Sequence, residues 1–191
     1  MVGIEKEERF ATGWYRSFRL RYPWLQINLF TAFVAAAVVG VFQGTIDRLL
    51  ILTIFLPVLA GQSGNTGSQA LAITLRGMTL GDLKYGREKA LLQKEALLGL
   101  LNGAVVGAVA ALGMFAVATF QHLPSVGMLT AVVFLAMIGS CIISGICGAF
   151  VPLILQRFGA DPVTASSIFV TTVTDVASMG MLLGLASILV K

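Results

Sequence analysis

Residues 96–156 contain no Asp, Glu, Lys or Arg. A water-soluble domain puts charge on roughly a quarter of its residues, spread over its surface. Here only 12% of the 191 residues are charged and 57% are hydrophobic, and the charges gather between long apolar runs. Such a chain has hydrocarbon as its solvent. Backbone N–H and C=O groups must then be paired within the protein, which leaves helices or a closed barrel. No segment sustains the apolar/polar alternation of barrel strands. The fold class is therefore expected to be an all-α integral membrane protein, multi-pass in the cell membrane.

Five apolar segments are expected to cross, at about 25–46, 49–75, 95–119, 126–155 and 163–190. A perpendicular crossing takes about twenty residues, so several of these must tilt or project. No cleavable signal is evident, because the first residues are charged and lack an apolar core. Orientation follows from the basic residues. Lys6, Arg9, Arg16, Arg19, Arg21, Arg76, Lys84, Arg87, Lys89, Lys94 and Arg157 fall on one side of a five-crossing chain, and only Arg48 and Lys191 on the other. The N-terminus is thus expected in the cytoplasm and the C-terminus outside.

The segment 14–22 mixes Trp14, Tyr15, Phe18 and Tyr22 with three arginines and reads as an interfacial helix, ended by Pro23. Residues 77–90, with three glycines, read as a loop, and His122 as a solvated loop residue. The net charge of +4 flanks the spans, so anionic lipid headgroups are the expected partner and nucleic acid is not. Cys141 and Cys147 sit in an apolar run and are expected to pack, with no disulfide or metal. The pairs Gly40/Gly44 and Gly180/Gly184, and the triplet Gly99/Gly103/Gly107, have the spacing that lets helix backbones approach closely. Asn102 is expected to hydrogen-bond between helices.

Against this background, residues 57–69 stand out, because glycines and amides interrupt an apolar span. Lipid-exposed amides are costly, so protein or water must cover this stretch. Gly61, Gly64 and Gly67 would line one side of a helix, or free carbonyls in an unwound turn. Asn65 and Gln69, four apart, share a face. In the last span Asp161 and Pro162 have the form of a helix start. Beyond them Ser167, Thr171 and Asp175 recur at i, i+4 and i+8, with Thr164 and Thr174 nearby. A carboxylate at mid-membrane costs about 2.5–3.5 kcal/mol on insertion scales and generally marks a functional site. Basic residues lie only towards span ends, so a passing cation is the natural partner of Asp175. Carboxylate, amide and carbonyl oxygens suit hard cations: Mg²⁺ first, with Mn²⁺, Ca²⁺ or Co²⁺ as further candidates. One carboxylate per chain suits a hydrated ion, and a two-fold dimer would supply a second. Glu95 is expected at the cytoplasmic edge of the third span.

These residues resemble the MgtE magnesium channel family, in its membrane domain. Leu56-Pro57, Gly61, Gly64-Asn65-Thr66-Gly67, Gln69 and Arg76 are similar to its second-helix signature. Lys94-Glu95 with Gly99 resembles the start of its third helix. Gly148-Ala149, Pro152, Gly159-Ala160-Asp161-Pro162, Thr172 and Asp175 resemble its fourth and fifth helices. The resemblance covers about residues 23–190. It implies a five-helix protomer, a pore-forming homodimer, and a Mg²⁺ channel on the two-fold axis between helices two and five. It also implies Asp175 as the main acidic group of the ion site, with Ser167 and Thr171 on the same wall and Asn65, Gly64 and Gly67 shaping the path. Residues 1–24 would form a cytoplasmic segment whose helix matches the family's connecting helix, and 25–190 the five-helix domain.

Three departures bear on mechanism. Family members usually carry cytoplasmic magnesium-sensing domains before the membrane part, which residues 1–24 cannot supply, so the chain is read as a short or truncated member. Ser63 stands where a glycine is common. Ser167 and Thr171 stand where relatives can have other small or amide side chains. Transport rather than catalysis is expected. An exchanger coupling Mg²⁺ to Na⁺ or H⁺, and a non-conducting membrane subunit, remain the alternatives to a channel.

Overall fold

A computed structural model describes residues 8–83 and 86–190, and these are helical almost throughout. Among the described residues there are six helices: α1 Trp14–Val41, α2 Gln43–Arg48, α3 Leu52–Leu80, α4 Glu88–Phe120, α5 Val126–Arg157 and α6 Pro162–Leu189. Four of them are long and apolar enough to cross a membrane: α1, α4, α5 and the Ala165–Leu189 part of α6. The 29 residues of α3 match them in length, at about 1.5 Å rise per residue, but its amides and glycines set it apart in composition.

Several expected boundaries move. Pro23 does not end an interfacial helix; α1 runs straight through it. Proline removes one hydrogen bond, to the carbonyl of Arg19, and this half of α1 is exposed, where that loss is tolerable. The first span therefore starts earlier than residue 25 and ends at Val41, and the short α2 turns the chain towards α3. The expected loop at 77–90 shrinks, because α3 continues to Leu80 and α4 already begins at Glu88. Gly81, at φ 72°, stops α3 with a left-handed residue that glycine adopts without strain. Lys6, Lys84 and Lys191, used in reading orientation, lie outside the described residues, as does the side chain of Thr164. The start of α6 is as expected: Asp161 Oδ1 accepts from the Val163 N–H at 3.2 Å, with Pro162 in the first turn.

The helices assemble around α5, which packs on α4, α6 and α3, while α1 packs mainly on α6. In hydrocarbon, apolar burial gives little drive, so close packing must hold the helices. On α4 this is visible at the glycine triplet. A Cβ built on Gly99 would lie 2.5 Å from the Cys141 carbonyl oxygen, and one on Gly103 would lie 2.9 Å from the Ile138 Cα. By contrast, Gly40 and Gly44 meet nothing within 4 Å, so their spacing serves no contact in the protomer. Large apolar packing collects at one end, where Leu52, Phe55, Met114, Val133, Met137 and Leu182 form the core. Asn102 is exposed and makes no side-chain hydrogen bond among the described residues; its expected inter-helix role is corrected.

Asp161→Ala is expected to lower stability by about 0.5–2 kcal/mol through loss of the cap, and Asp161→Asn to keep most of it. Thermal unfolding in detergent measures both; equal losses would mean that the cap is not what Asp161 contributes.

Candidate cation path on α3 and α6

The register between α3 and α6 is set by close contacts. Ser63 Oγ donates to the Thr174 carbonyl oxygen at 3.3 Å. A Cβ on Gly67 would lie 2.9 Å from Thr174 Cγ2 and 3.0 Å from Val170 Cγ1. Farther along, Ser68, Leu71, Leu75 and Arg76 line one cavity of about 430 Å³ with Val163 and Ser167. The helices thus run antiparallel, with residue 63 level with 174, 67 with 170 and the low seventies with 167. Asp175 then sits at the height of Gln62.

The run 61–67 is unbroken α-helix, so its carbonyls are held in the helix and the unwound turn offered as an alternative is not formed. The glycines serve approach instead. A Cβ on Gly148 of α5 would collide with the Gly67 carbonyl oxygen and lie 2.9 Å from the Ala70 Cβ. Gly67 is buried between α5 and α6, whereas Gly64 is half-buried and in only ordinary contact, 3.9 Å from Thr174 Oγ1.

The polar side chains of α3 turn away from this packing. Gln62, Asn65, Ser68, Gln69 and Arg76 are all exposed on the protomer. On α6, Thr171 is exposed, Asp175 half-buried and Ser167 buried. Asp175 has no hydrogen bond or ion pair from its carboxylate among the described residues. Ser167 Oγ is buried without a partner, as are Ser144 Oγ and Ser166 Oγ. Thr171 Oγ1 donates to the Ser167 carbonyl at 2.9 Å, so its lone pairs stay free.

Gly64 and Gly67 thus pack against Thr174 and Val170 of α6, Ser167 shares a cavity with α3, and Asp175, next to Thr174, is half-buried without a hydrogen bond to α3 among the described residues. Asn65 and Thr171 lie on the open surface of this helix pair. Gln62 and the Arg76 cavity were not singled out as site features by sequence reasoning. Helical phase relative to Asn65 gives their exposure, but only the register with α6 places them. The buried hydroxyls of Ser144 and Ser166 have no signal in the sequence. Glu95 lies two turns into α4, and its side chain is buried, 6% exposed, on the α4–α5 side, where its carbonyl oxygen would lie 2.7 Å from a Cβ on Gly145. Cys141 and Cys147 are both free, and Thr66 Oγ1 lies 3.6 Å from Cys141 Sγ. Among the described residues no three His, Cys, Asp or Glu side chains gather as a metal cage.

The MgtE family model, described as a divalent cation transporter, matches residues 56–185, from α3 through most of α6. The chain belongs to the MgtE family. The match runs from the polar stretch of α3 through Asp175 and leaves α1 outside. Three relatives are each called magnesium transporter MgtE. That of Enterococcus faecalis is 28% identical over 191 residues, all of this chain and 41% of the relative. That of Bacillus subtilis is 27% identical over 95% of this chain and 39% of its own length. That of Thermus thermophilus is 29% identical over 90% of this chain and 36% of its own length. The chain therefore spans about two fifths of the length of these curated MgtE relatives. MgtE members are ion transporters rather than enzymes, in line with the sequence reading.

The two glycine environments predict opposite outcomes. Gly64→Ala has room and gains about 0.8–1 kcal/mol of helix propensity, so stability holds or rises. Gly148→Ala pushes against backbone and should lose about 1–3 kcal/mol. Melting temperatures of the two purified variants check this; the same sign for both would contradict the packing described.

Proposed function

We propose that this chain transports divalent cations, Mg²⁺ first, as a channel whose path runs between α3 and α6 of two protomers related by a two-fold axis. In this reading α3 is a fifth crossing beside α1, α4, α5 and α6, with the N-terminus in the cytoplasm and the C-terminus outside. The observation that carries it is Asp175: a mid-span carboxylate with no partner among the described residues, on a helix packed beside α3, whose amides stay exposed on the protomer. Amides and carboxylate on a lipid-facing surface are costly. A second copy meeting this face would bury it around water and cations. Two carboxylates, one per protomer, then attract a hydrated divalent ion, and each is worth about 1.7 kcal/mol at about 5 Å in water. Mg²⁺ keeps its water readily, so a wall of neutral oxygens from Asn65, Ser167 and Thr171 suffices to hold the hydrated ion. Gly67 shapes this wall by letting α3 approach α5 and α6, and Gly64, which has room around it, leaves the wall beside Thr174 open. Mn²⁺, Ca²⁺ and Co²⁺ share the hard-oxygen chemistry in part and are secondary cargoes.

The names of the relatives support Mg²⁺ as cargo. Channel and exchanger separate in one assay: channel flux into liposomes persists in Na⁺-free medium at clamped pH, and exchange stops.

Asp175→Asn keeps the shape and removes the charge. Mg²⁺ uptake by liposomes holding the purified protein should fall about tenfold. The Mg²⁺-dependent rise in melting temperature should shrink, and the ion-free dimer should melt no lower than the parent. Asp175→Glu keeps partial uptake. Wild-type uptake and an unchanged Mg²⁺ shift in Asp175→Asn would remove the carboxylate from the ion site. Separately, single cysteines placed at 65 or 171, in a background lacking Cys141 and Cys147, should cross-link into dimers. A conducting species of monomer mass would overturn the two-fold arrangement.

A further inference from the structure

The outer faces of α4 and α5 carry a second feature, remote from the α3–α6 seam. A groove of about 300 Å³ opens between these helices at the end of the bundle where α4 starts and α5 stops. Its floor is apolar, made by Leu92, Phe150, Leu153 and Ile154, and Phe150 is 45% exposed. Its rim carries Lys89 and Arg157. Arg157 Nη2 donates to Glu88 Oε1 at 3.1 Å, which holds the guanidinium at the rim. The Arg157 side chain is still 70% exposed, so its remaining N–H groups are available. Lys89 is exposed and has no ion pair among the described residues.

We propose that this groove is a binding site for one anionic phospholipid, with its phosphate between Lys89 and Arg157 and an acyl chain along Leu92, Phe150 and Ile154. Three points favour this occupant. The cations stand where an apolar helix surface meets its charged end, the depth of a headgroup. The rim has two cations and one carboxylate, which Arg157 and the Gly86 N–H already engage, so its net charge is positive and favours an anionic headgroup over a zwitterionic one. The apolar floor offers nothing to a free anion such as inorganic phosphate. The groove opens between α4 and α5, and α4 makes few contacts with α3 and packs mainly on α5, so a two-fold partner on the α3–α6 seam leaves it open to lipid. The inference does not depend on the transport reading.

The test uses the full chain, delipidated in mild detergent, with native mass spectrometry and thermal unfolding as readouts. Phosphatidylglycerol, phosphatidylcholine and inorganic phosphate are the probes. Phosphatidylglycerol should bind and raise the melting temperature more than phosphatidylcholine, and phosphate should do neither. Each cation near a headgroup contributes about fivefold in affinity. Lys89→Gln, which breaks no contact in the protein, should therefore weaken phosphatidylglycerol about fivefold, and the Lys89→Gln/Arg157→Gln pair should bring it to the phosphatidylcholine level. Arg76→Gln, at the same end but on α3, should leave the preference intact. Equal binding of the two lipids by the parent, a preference that survives in the double variant, or an equal loss in Arg76→Gln would each overturn the proposal.

Discussion

Hydrocarbon does not tolerate an unpaired polar group, and most features of this protein follow from how each one is handled. Backbone groups are paired by long helices. Threonine and serine hydroxyls mostly donate one turn back, as Thr74 does to Ala70 and Thr172 to Ile168. Many of the polar groups left unpaired inside the protomer lie on α3 and α6: the exposed amides of α3 and the half-buried carboxylate of Asp175. The exposed amides of α3 make a surface that water, ions or another protein must cover.

The second requirement is proximity. Two polar helices make a narrow route only if their neighbours let them come close, and α5 provides this. Gly148 receives the backbone of α3 at Gly67, and the glycines of α4 let it press on the other side of α5. The proposed route and the packing therefore share residues. Gly67 faces the core and cannot touch an ion directly, yet it sets how close Ser63 comes to Thr174, and through them the height of Asp175 against Gln62. In the proposed path, Gly67 acts through distance rather than through ligation.

The sequence made the class of protein and the polar seam legible for plain reasons. Charge-free runs announce a membrane, and an aspartate at i+8 from a serine in such a run stands out against hydrocarbon. The helical cap at Asp161 was equally readable, because its residue types act locally. What escaped was set by neighbours in space. Nothing near Pro23 says that α1 continues through it; the weak constraint is an exposed helix side. Asn102 sits between two packing glycines, yet the phase of α4 turns it outward. Glu95 looked peripheral beside Lys94, and only the packing of α5 buries it. Gly40/Gly44 and Gly99/Gly103 share a spacing and differ in whether another helix is there to use it.

The central claim is that the exposed face of α3 meets water and ions, while the apolar faces of α4 meet lipid. Single cysteines along both helices, in a background lacking Cys141 and Cys147, test it in liposomes with a membrane-impermeant thiol reagent. Positions 61, 65, 68 and 72 on α3 should react, and Mg²⁺ should slow the reaction at 61 and 65, nearest the height of Asp175. Positions 101, 105, 109 and 112 on α4 should stay unreactive with or without Mg²⁺. Silent α3 positions, or labelling on both helices alike, would contradict an aqueous cation path along α3.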